Sequence, residues 1–322
     1  MKRPKILVVG SFVMDLIVSA PKFPSSGETV IGSGFQMAAG GKGANQAVQA
    51  ALLGASVTMV GKVGRDYFGD KLLDSVYKAG VDVTHVARAD GVPSAIGNVQ
   101  LEVAQEHTAN RIVVVPGANM HLTMEDVSFL EEDIAQYDMV LLQLEIPMEV
   151  NRVVAQLARS HKVPVMLNTA PYTPVPQDIL SAVTYISPNE HEAADMTGIA
   201  ITDIESAQMA IASLRQTGIE NVIITMGHRG AVFGNAAVFF HSPCIAGVKV
   251  QDPTAAGDSF VGAFCTGICY GLDPQKAMKF ANYTASLTVS RIGAQPSLPM
   301  LDEVKAFMAQ HKTDTRDILI RI

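Results

Sequence analysis

The sequence predicts an α/β fold: a doubly wound, mostly parallel β-sheet covered by helices, with a small β-sheet as a lid. Short β-rich runs alternate with helical stretches after residue 116, a pattern typical of parallel sheets with helices on both faces. Hydrophobic residues make up 48% of the 322 positions and charged residues 17%, so a large buried sheet can form. Two β-rich segments, 16–37 and 94–115, lack helical periodicity and predict the second sheet.

The elements of the main sheet can be assigned in chain order. Its strands are predicted at 6–9, 56–61, 138–144, 163–168, 183–187 and 221–226. Helices are predicted near 43–53, 68–79, 147–161, 189–197 and 203–217, and two long helices follow at 255–270 and 273–291. Pro147 and Asp203 support two of these helix starts, because Pro and Asp are favoured there.

The two β-rich segments carry Pro and Gly at turns and are alike in character, although they are distant in sequence. We predict that they form a lid over one edge of the main domain, which then comprises 1–15, 38–93 and 116–322. An alternative is a pair of antiparallel hairpins that extend the main sheet. The tail, 314–322, fits an extra strand or a frayed end.

Charge, hydropathy and cysteine content narrow the class of protein. There are 24 Lys and Arg residues against 31 Asp and Glu residues and no basic run, so nucleic acid is not an expected partner. No apolar stretch approaches the roughly 20 residues of a membrane helix, and Gly10 and Asp15 interrupt the first apolar run, which predicts a strand and no signal peptide. Cys244, Cys265 and Cys269 are expected to be buried free thiols, as in a reducing cytoplasm.

The segment 252–260 places small residues and an acid at the start of a long apolar helix. The backbone N–H groups of Ala255, Ala256 and Gly257 would lack partners within the helix and could bind an anion. Asp258 lies in the same first turn, so a base and an anion hole would face one point, as phosphoryl transfer to a hydroxyl requires. The alternative is an ordinary first-turn acid beside a glycine that permits close packing.

A second segment, 40–46, opens another apolar helix and brings three glycines, a cation and an amide together. It is not a Walker A loop, because position 36 is Gln and Lys42 is followed by Gly. The spacing of a dinucleotide fingerprint also fails, at Gln46. The segment is therefore a glycine-rich turn from strand to helix, where backbone can approach a ligand closely.

Together, these two segments resemble the two signature regions of the ribokinase-like (PfkB) carbohydrate kinase family. The resemblance extends over nearly the whole chain, through matching runs at 10–15, 27–29, 40–46, 143–145, 168–171, 188–190, 225–230, 252–258 and 293–297. Within the family, the runs 41–46 and 293–297 are most similar to the ribokinase and deoxyribokinase members. The resemblance implies the ribokinase-like fold and ATP-dependent phosphorylation of D-ribose or 2-deoxy-D-ribose at the 5-hydroxyl. Alternatives are a nucleoside or ketohexose kinase of the family, or a non-catalytic sugar or nucleotide sensor.

The resemblance also implies roles for single residues. It makes Asp258 the catalytic base and assigns sugar contacts to Asp15, Gly41, Lys42, Asn45 and Glu145. Lys42 could also meet the γ-phosphate. Glu145 could instead be a surface acid at a strand end.

The nucleotide and the metal ions have implied positions as well. ATP would meet Asn189, Thr225, Gly227, Gly230 and Asn282, and Glu192 would help to hold Mg²⁺. A monovalent cation, K⁺, would be bound mostly by backbone oxygens of Asp252, Thr254, Thr288, Arg291, Gly293 and Ser297. Asn189 and Glu192 also fit a helix cap with a first-turn acid, Thr288 and Arg291 also fit a helix surface, and position 282 is often His in the family.

The sequence departs from the ribokinases at Val13, where they carry Asn two residues before the aspartate. The departure favours 2-deoxyribose, because Val offers only methyl groups to a sugar hydroxyl. Val13 could instead point into the core. The expected partners are a small sugar, ATP and a second copy of the chain, paired through the lid edge.

Overall fold

A computed structural model describes residues 3–103, 108–311 and 316–322. The strands in this part of the chain are β1 (Lys5–Val9), β2 (Val13–Ala20), β3 (Gly34–Gly40), β4 (Ser56–Gly64), β5 (Asp82–Ala89), β6 (Ile96–Val103), β7 (Thr108–Val115), β8 (Met139–Leu142), β9 (Val165–Leu167), β10 (Tyr185–Ile186), β11 (Asn221–Thr225), β12 (Ala231–Gly234) and β13 (Phe239–Ser242). The α-helices are α1 (Lys42–Leu52), α2 (Tyr67–Lys78), α3 (Leu130–Asp133), α4 (Met148–Ser160), α5 (Gln177–Leu180), α6 (Glu190–Thr197), α7 (Ile204–Gln216), α8 (Ala256–Cys269), α9 (Pro274–Val289), α10 (Leu301–Gln310) and α11 (Arg316–Arg321).

The main sheet follows the order β13-β12-β11-β10-β9-β8-β1-β4-β5 among the described residues. Every neighbouring pair from β11 to β5 is parallel, and β12 and β13 add an antiparallel edge. In the central strand β1, Ile6 and Val8 pack into one apolar cluster, while Leu7 and Val9 pack into the other. This alternation buries both faces of the sheet under helices, as in other parallel sheets. The predicted fold class is confirmed.

The small sheet is separate from the main one and has the order β3-β2-β6-β7 in the described part of the chain. β2 pairs parallel with β6, and the outer pairs β2–β3 and β6–β7 are antiparallel. The alternative of hairpins that extend the main sheet is therefore wrong. β2 begins at Val13, so Val13 and Asp15 lie on the small sheet.

Two predictions about single segments need correction, and three strands were missed. Residues 314 and 315 of the tail lie outside the described residues, and 316–322 contain the helix α11, with Ile318 and Ile322 buried, so this part is not a strand. Cys244 is exposed in the loop after β13, whereas Cys265 is buried on α8 and Cys269 partly buried, and all three thiols are free. The strands β5, β12 and β13 were not anticipated, because their sequences lack a clear apolar alternation.

No helix in the described ranges is both long and apolar enough to cross a bilayer.

Candidate active site

A cavity of about 640 Å³ lies at the carboxyl ends of the parallel strands. Asn168 follows β9, Ser187 follows β10 and Thr225 ends β11, and all three line the cavity. This edge is where open α/β sheets commonly bind ligands. The cavity also takes in the start of α8, and it is lined by all of the implied catalytic and nucleotide residues together with Lys42 and Glu192: Lys42, Asn189, Glu192, Thr225, Gly227, Gly230, Ala255, Ala256, Gly257, Asp258 and Asn282.

The start of α8 differs in one detail from the expected anion hole. Ala255 precedes the helix with a left-handed backbone, φ 59°. The N–H of Ala256 already donates to Pro253 O at 3.2 Å. Among the described residues, the N–H groups of Ala255, Gly257 and Asp258 donate no hydrogen bond within the protein. These amides are therefore the free donors at the wall of the cavity.

Gly257 faces open space. A Cβ added to this residue would meet no protein atom within 4 Å. The alternative in which this glycine permits close packing therefore finds no support. A hydrogen in place of a side chain leaves room for a ligand beside the free amides.

The start of α1 is packed tightly under the turn after β1. A Cβ on Gly41 would lie 2.7 Å from Val13 N, and Gly41 has φ 94°. The carboxylate of Glu145 accepts hydrogen bonds from the Ser11 hydroxyl and from Lys42 N, the latter at 3.0 Å. Glu145 thus points inward and is not a simple surface acid. The role of Ser11 was missed by the sequence analysis, although it lies in a matching run.

Asp258 is 7% exposed, and both of its carboxylate oxygens accept amide hydrogen bonds. Asn45 Nδ2 donates to Oδ2 at 2.9 Å, and Gln46 Nε2 donates to Oδ1 at 3.2 Å. Gln46 was not anticipated as a site residue, because the sequence alone does not show that this buried side chain contacts Asp258. The two amides fix the carboxylate at the base of the cavity.

Asp15 projects from β2 over two glycines of the small sheet. A Cβ on Gly97 would lie 2.3 Å from Asp15 Oδ1, and a Cβ on Gly40 would lie 3.1 Å from Oδ2. Burial, and then the nearby carboxylate of Glu145, raise the pKa of Asp15 to about 6. Gly97 was missed by the sequence analysis, although a glycine inside a strand often marks a close approach.

Val13 lies on the same side of the small sheet as Asp15. Its Cγ1 would be 3.7 Å from a Cβ on Gly97, the residue that Asp15 also approaches. Val13 is 5% exposed, yet it belongs to neither of the two apolar clusters of the described residues. The alternation of side chains along β2 instead sends Met14 into the core.

Lys42 lies among acidic groups in the cavity. Burial would lower its pKa, but the carboxylates of Asp258, Glu145 and Glu192 raise it, and the net pKa is raised. Lys42 therefore stays cationic at neutral pH. A cation in this place can meet a phosphate group.

Asn189 and Glu192 form a capping box at the start of α6. Asn189 Oδ1 accepts from the N–H groups of His191 and Glu192, and Glu192 Oε2 accepts from Asn189 N at 2.9 Å. Burial raises the pKa of Glu192, against the effect of the Asn189 N–H and Lys42. Both residues also line the cavity, so capping and ligand binding are compatible here.

The far end of the cavity is formed by the loop after β11 and by α9. Thr225 forms a parallel bridge with Asn189, and Gly227 and Gly230 lie in the turn that follows β11. Asn282 Nδ2 donates to Ser242 O and Pro243 O at 3.0 and 3.1 Å. This amide fastens the loop after β13 to α9, so it is engaged within the protein.

The residues implied in the cation site fall into two groups. Asp252 accepts from Thr254 N and Gly293 N, each at 2.9 Å, and thereby joins the loop before α8 to the loop after α9. Burial would raise the pKa of Asp252, but hydrogen bonds from the Thr254 hydroxyl and from the Gly293 and Thr254 N–H groups lower it overall. The other three side chains make internal contacts: Thr288 with Ser259, Arg291 with Glu303, and Ser297 with Ala294 O.

Comparison with known proteins agrees with this geometry. The family model described as pfkB family carbohydrate kinase matches residues 3–301. The ribokinase of Haemophilus influenzae is 37% identical over 308 residues, 95% of this chain and 99% of that protein. The deoxyribokinase of Salmonella typhimurium is 32% identical over 305 residues, 94% of this chain and 98% of that protein.

Solved structures of ribokinases also share the fold of this chain. The structure of Arabidopsis thaliana ribokinase complexed with ribose and ATP has a TM-score of 0.89 and 31% identity, and the match covers 97% of this chain and 100% of that one. A ribokinase from Thermotoga maritima has a TM-score of 0.83 and 32% identity, over 94% and 99% of the two chains. The chain belongs to the pfkB family of carbohydrate kinases.

Proposed function

We propose that this kinase transfers the γ-phosphate of ATP to the 5-hydroxyl of D-ribose or 2-deoxy-D-ribose. The observation that carries the proposal is the meeting of Asp258, the free amides at the start of α8 and Lys42 in one cavity. That cavity continues to the loop after β11, where a nucleotide would lie. The names of the relatives, ribokinase and deoxyribokinase, support a pentose as acceptor.

Three groups of residues have separate roles in the proposed phosphoryl transfer. Asp258 accepts the proton of the sugar hydroxyl as that oxygen attacks the γ-phosphorus, and the bond from this phosphorus to the β–γ bridging oxygen breaks so that ADP leaves. The Gly257 and Asp258 amides and the Lys42 ammonium stabilise the negative charge on the phosphoryl oxygens. Asp15, Asn45 and Glu145 orient the sugar through its other hydroxyls.

Mg²⁺ would bind together with the ATP phosphates, and Glu192, which lines the cavity, would be the protein carboxylate that helps to hold it. The donor set fits this ion, because Mg²⁺ commonly uses one or two carboxylates together with substrate phosphates. When bound, Mg²⁺ neutralises charge on the phosphates. Lys42 and the free amides supply the protein's own share of that neutralisation.

Two alternative functions, a kinase for another acceptor and a non-catalytic sensor, predict different turnover. A nucleoside or ketohexose kinase would use the same base and the same donors to phosphate, but its acceptor pocket would fit a different molecule. A sensor would bind ligands without turnover, and it would not need a base beside the acceptor hydroxyl. An ADP-release assay over pentoses, ketohexoses and nucleosides separates these cases, and fastest turnover with a nucleoside or a hexose would contradict the pentose assignment.

We propose a K⁺ site at the two loops that Asp252 joins by accepting from Thr254 and Gly293, because backbone oxygen atoms of such loops are hard ligands that suit K⁺. A cation at this place would order the Asp252–Gly293 connection behind the free amides. Potassium should therefore raise kcat above the values in sodium or choline at matched ionic strength. Equal rates in the three salts would argue against the site.

Val13→Asn should shift the sugar preference toward ribose. In the wild type we expect 2-deoxyribose to be used at least as well as ribose, since a hydroxyl buried against Val13 without a partner costs about 1–3 kcal/mol. The Asn amide can pair with that hydroxyl, so the ratio of kcat/KM values should move toward ribose by about 5- to 100-fold. Steady-state kinetics with both sugars measures the ratio.

The matched control for this variant is Val18→Asn, on the same strand but exposed. It should leave the ratio unchanged. A strong wild-type preference for ribose that Val13→Asn does not alter would show that another group meets the hydroxyl.

We also propose that the small sheet is a lid and pairs two copies of the chain. Its edge strands β3 and β7 expose apolar side chains, among them Phe35 at 65% and Val113 at 66%. Exposed apolar edges invite pairing with another strand or sheet. Sedimentation should show a dimer that Val113→Lys weakens, and a monomer at all concentrations would rule this out.

We also expect a cytoplasmic location, because the three thiols are free, as is typical of proteins in a reducing compartment.

A further inference from the structure

Gln46 occupies the centre of a buried amide network beneath Asp258. Its side chain is 0% exposed on α1. Gln46 Oε1 accepts from Gln143 Nε2 at 2.8 Å. Gln46 Nε2 lies 3.2 Å from Asp258 Oδ1 and also 3.2 Å from Asn168 Oδ1. Each hydrogen of one amide nitrogen thus has its own acceptor.

The network fixes which way the Gln46 amide points. The Asp258 carboxylate can only accept, so Gln46 must turn its nitrogen toward Asp258 and its oxygen toward Gln143 Nε2. Asn168 in turn donates to Ser187 O at 2.8 Å, and both Asn168 and Ser187 line the cavity. A chain of hydrogen bonds therefore runs from the base to the strand ends that border the nucleotide side.

We propose that Gln46 is a positioning residue that sets the orientation of Asp258 and couples it to the strand ends at Asn168 and Ser187. Asn45 holds one carboxylate oxygen and Gln46 holds the other, so the Asp258 side chain cannot rotate. This proposal rests on the proposed role of Asp258 as the base. Gln46 itself does not reach the substrate, since it lies behind the carboxylate and is fully buried.

Orientation matters because a general base must direct a lone pair at the hydroxyl within hydrogen-bond reach. A displacement of about 1 Å in an active site can lower the rate by about 10²-fold. Removal of the Gln46 amide frees Asp258 Oδ1 and leaves Asn168 Oδ1 without its donor. The loss should appear in kcat, because Asp15, Lys42 and the nucleotide loop stay intact.

The first test compares Gln46→Met with Gln49→Met. Gln49 is also 0% exposed on α1, but its amide donates to Pro299 O and accepts from Ser259, not from the base. We expect Gln46→Met to lower kcat about 10- to 100-fold, with KM for sugar and for ATP within about three-fold of the wild type. Gln49→Met should keep kcat within about three-fold. Equal losses in the two variants, or nearly full kcat in Gln46→Met, would overturn the proposal.

The second test is the pH profile of Gln46→Glu. An ionised Glu at this position would face Asp258 directly and favour its protonated form. The acid limb of the kcat profile should then move to higher pH, by about one unit or more. Lys42 and Glu192, the charged groups that interact with Asp258, are unchanged in this variant. An acid limb at the wild-type pH would show that Gln46 does not control the base.

The two tests separate this proposal from the proposed function. If Asp258→Asn is inactive while both Gln46 variants behave as wild type, Asp258 is the base and Gln46 is merely structural. If Asp258→Asn retains its activity, the assignment of the base fails first. Thermal unfolding of each variant shows whether lost activity reflects lost fold.

Discussion

Asp258→Asn should lower kcat by about 10²- to 10⁴-fold and leave sugar affinity nearly unchanged. The amide has almost the shape of the carboxylate but cannot accept the proton of the sugar hydroxyl. The surroundings predict a second effect. Asn45 and Gln46 each donate to one oxygen of Asp258, and an Asn side chain offers only one acceptor, so one donor loses its partner. The free energy of unfolding should fall by about 1–3 kcal/mol.

The measurement combines steady-state kinetics, calorimetric titration with sugar and thermal unfolding. Asp273→Asn is the matched control, because Asp273 begins the neighbouring helix α9 as an exposed cap and Asn caps helices equally well. It should change neither kcat nor stability measurably. If Asp258→Asn kept more than about a tenth of the wild-type kcat, Asp258 would not be the base.

Gly257→Ala should have opposite effects on stability and on activity. In the free protein the added methyl meets no atom within 4 Å, and Ala favours the first turn of a helix over Gly. The unfolding free energy should therefore rise by up to about 1 kcal/mol. The same methyl would project into the cavity beside the free amides and keep the phosphoryl group from them. Loss of one such donor typically costs about 10²- to 10³-fold in rate, so kcat/KM for ATP should fall by about 10²-fold.

Thermal unfolding and steady-state kinetics on one preparation measure both the rise in stability and the fall in kcat/KM. Sugar affinity measured without ATP serves as the internal control and should not change. A variant with lowered stability would mean that Gly257 is a packing glycine after all. A variant with unaltered turnover would place the phosphoryl group elsewhere in the cavity.

Local signals in the sequence were enough for the main fold and for the two helix starts that build the site. The first turn of α8 was predictable because small residues and Asp258 stand next to each other in the chain. The glycines before α1 were predictable for the same reason. The alternation of strands and helices gave the parallel sheet, because each βα unit is a local pattern.

What escaped prediction depends on pairing between distant segments. Gly97 lies under Asp15 only because β6 pairs with β2 in one particular register, which a single sequence does not specify. Gln46 contacts Asp258 only because α1 and α8 pack against each other. Cys244 was expected to be buried together with the two other free thiols, yet its loop follows an edge strand and the residue is exposed.

The small sheet also bears on how such an enzyme can evolve. Val13 and Asp15, together with Gly97, belong to this sheet, whereas Lys42, Gly257 and Asp258 belong to the helix starts of the main body. Under the proposed roles, substitutions in β2 and β6 would remodel the part of the sugar pocket that the small sheet supplies, while the groups that handle phosphate keep their geometry. Asn45 and Glu145 of the main body hold the rest of the sugar, so the small sheet carries a separately mutable share of specificity. This separation offers a physical route by which a shared scaffold could diverge among sugars without losing turnover on the way.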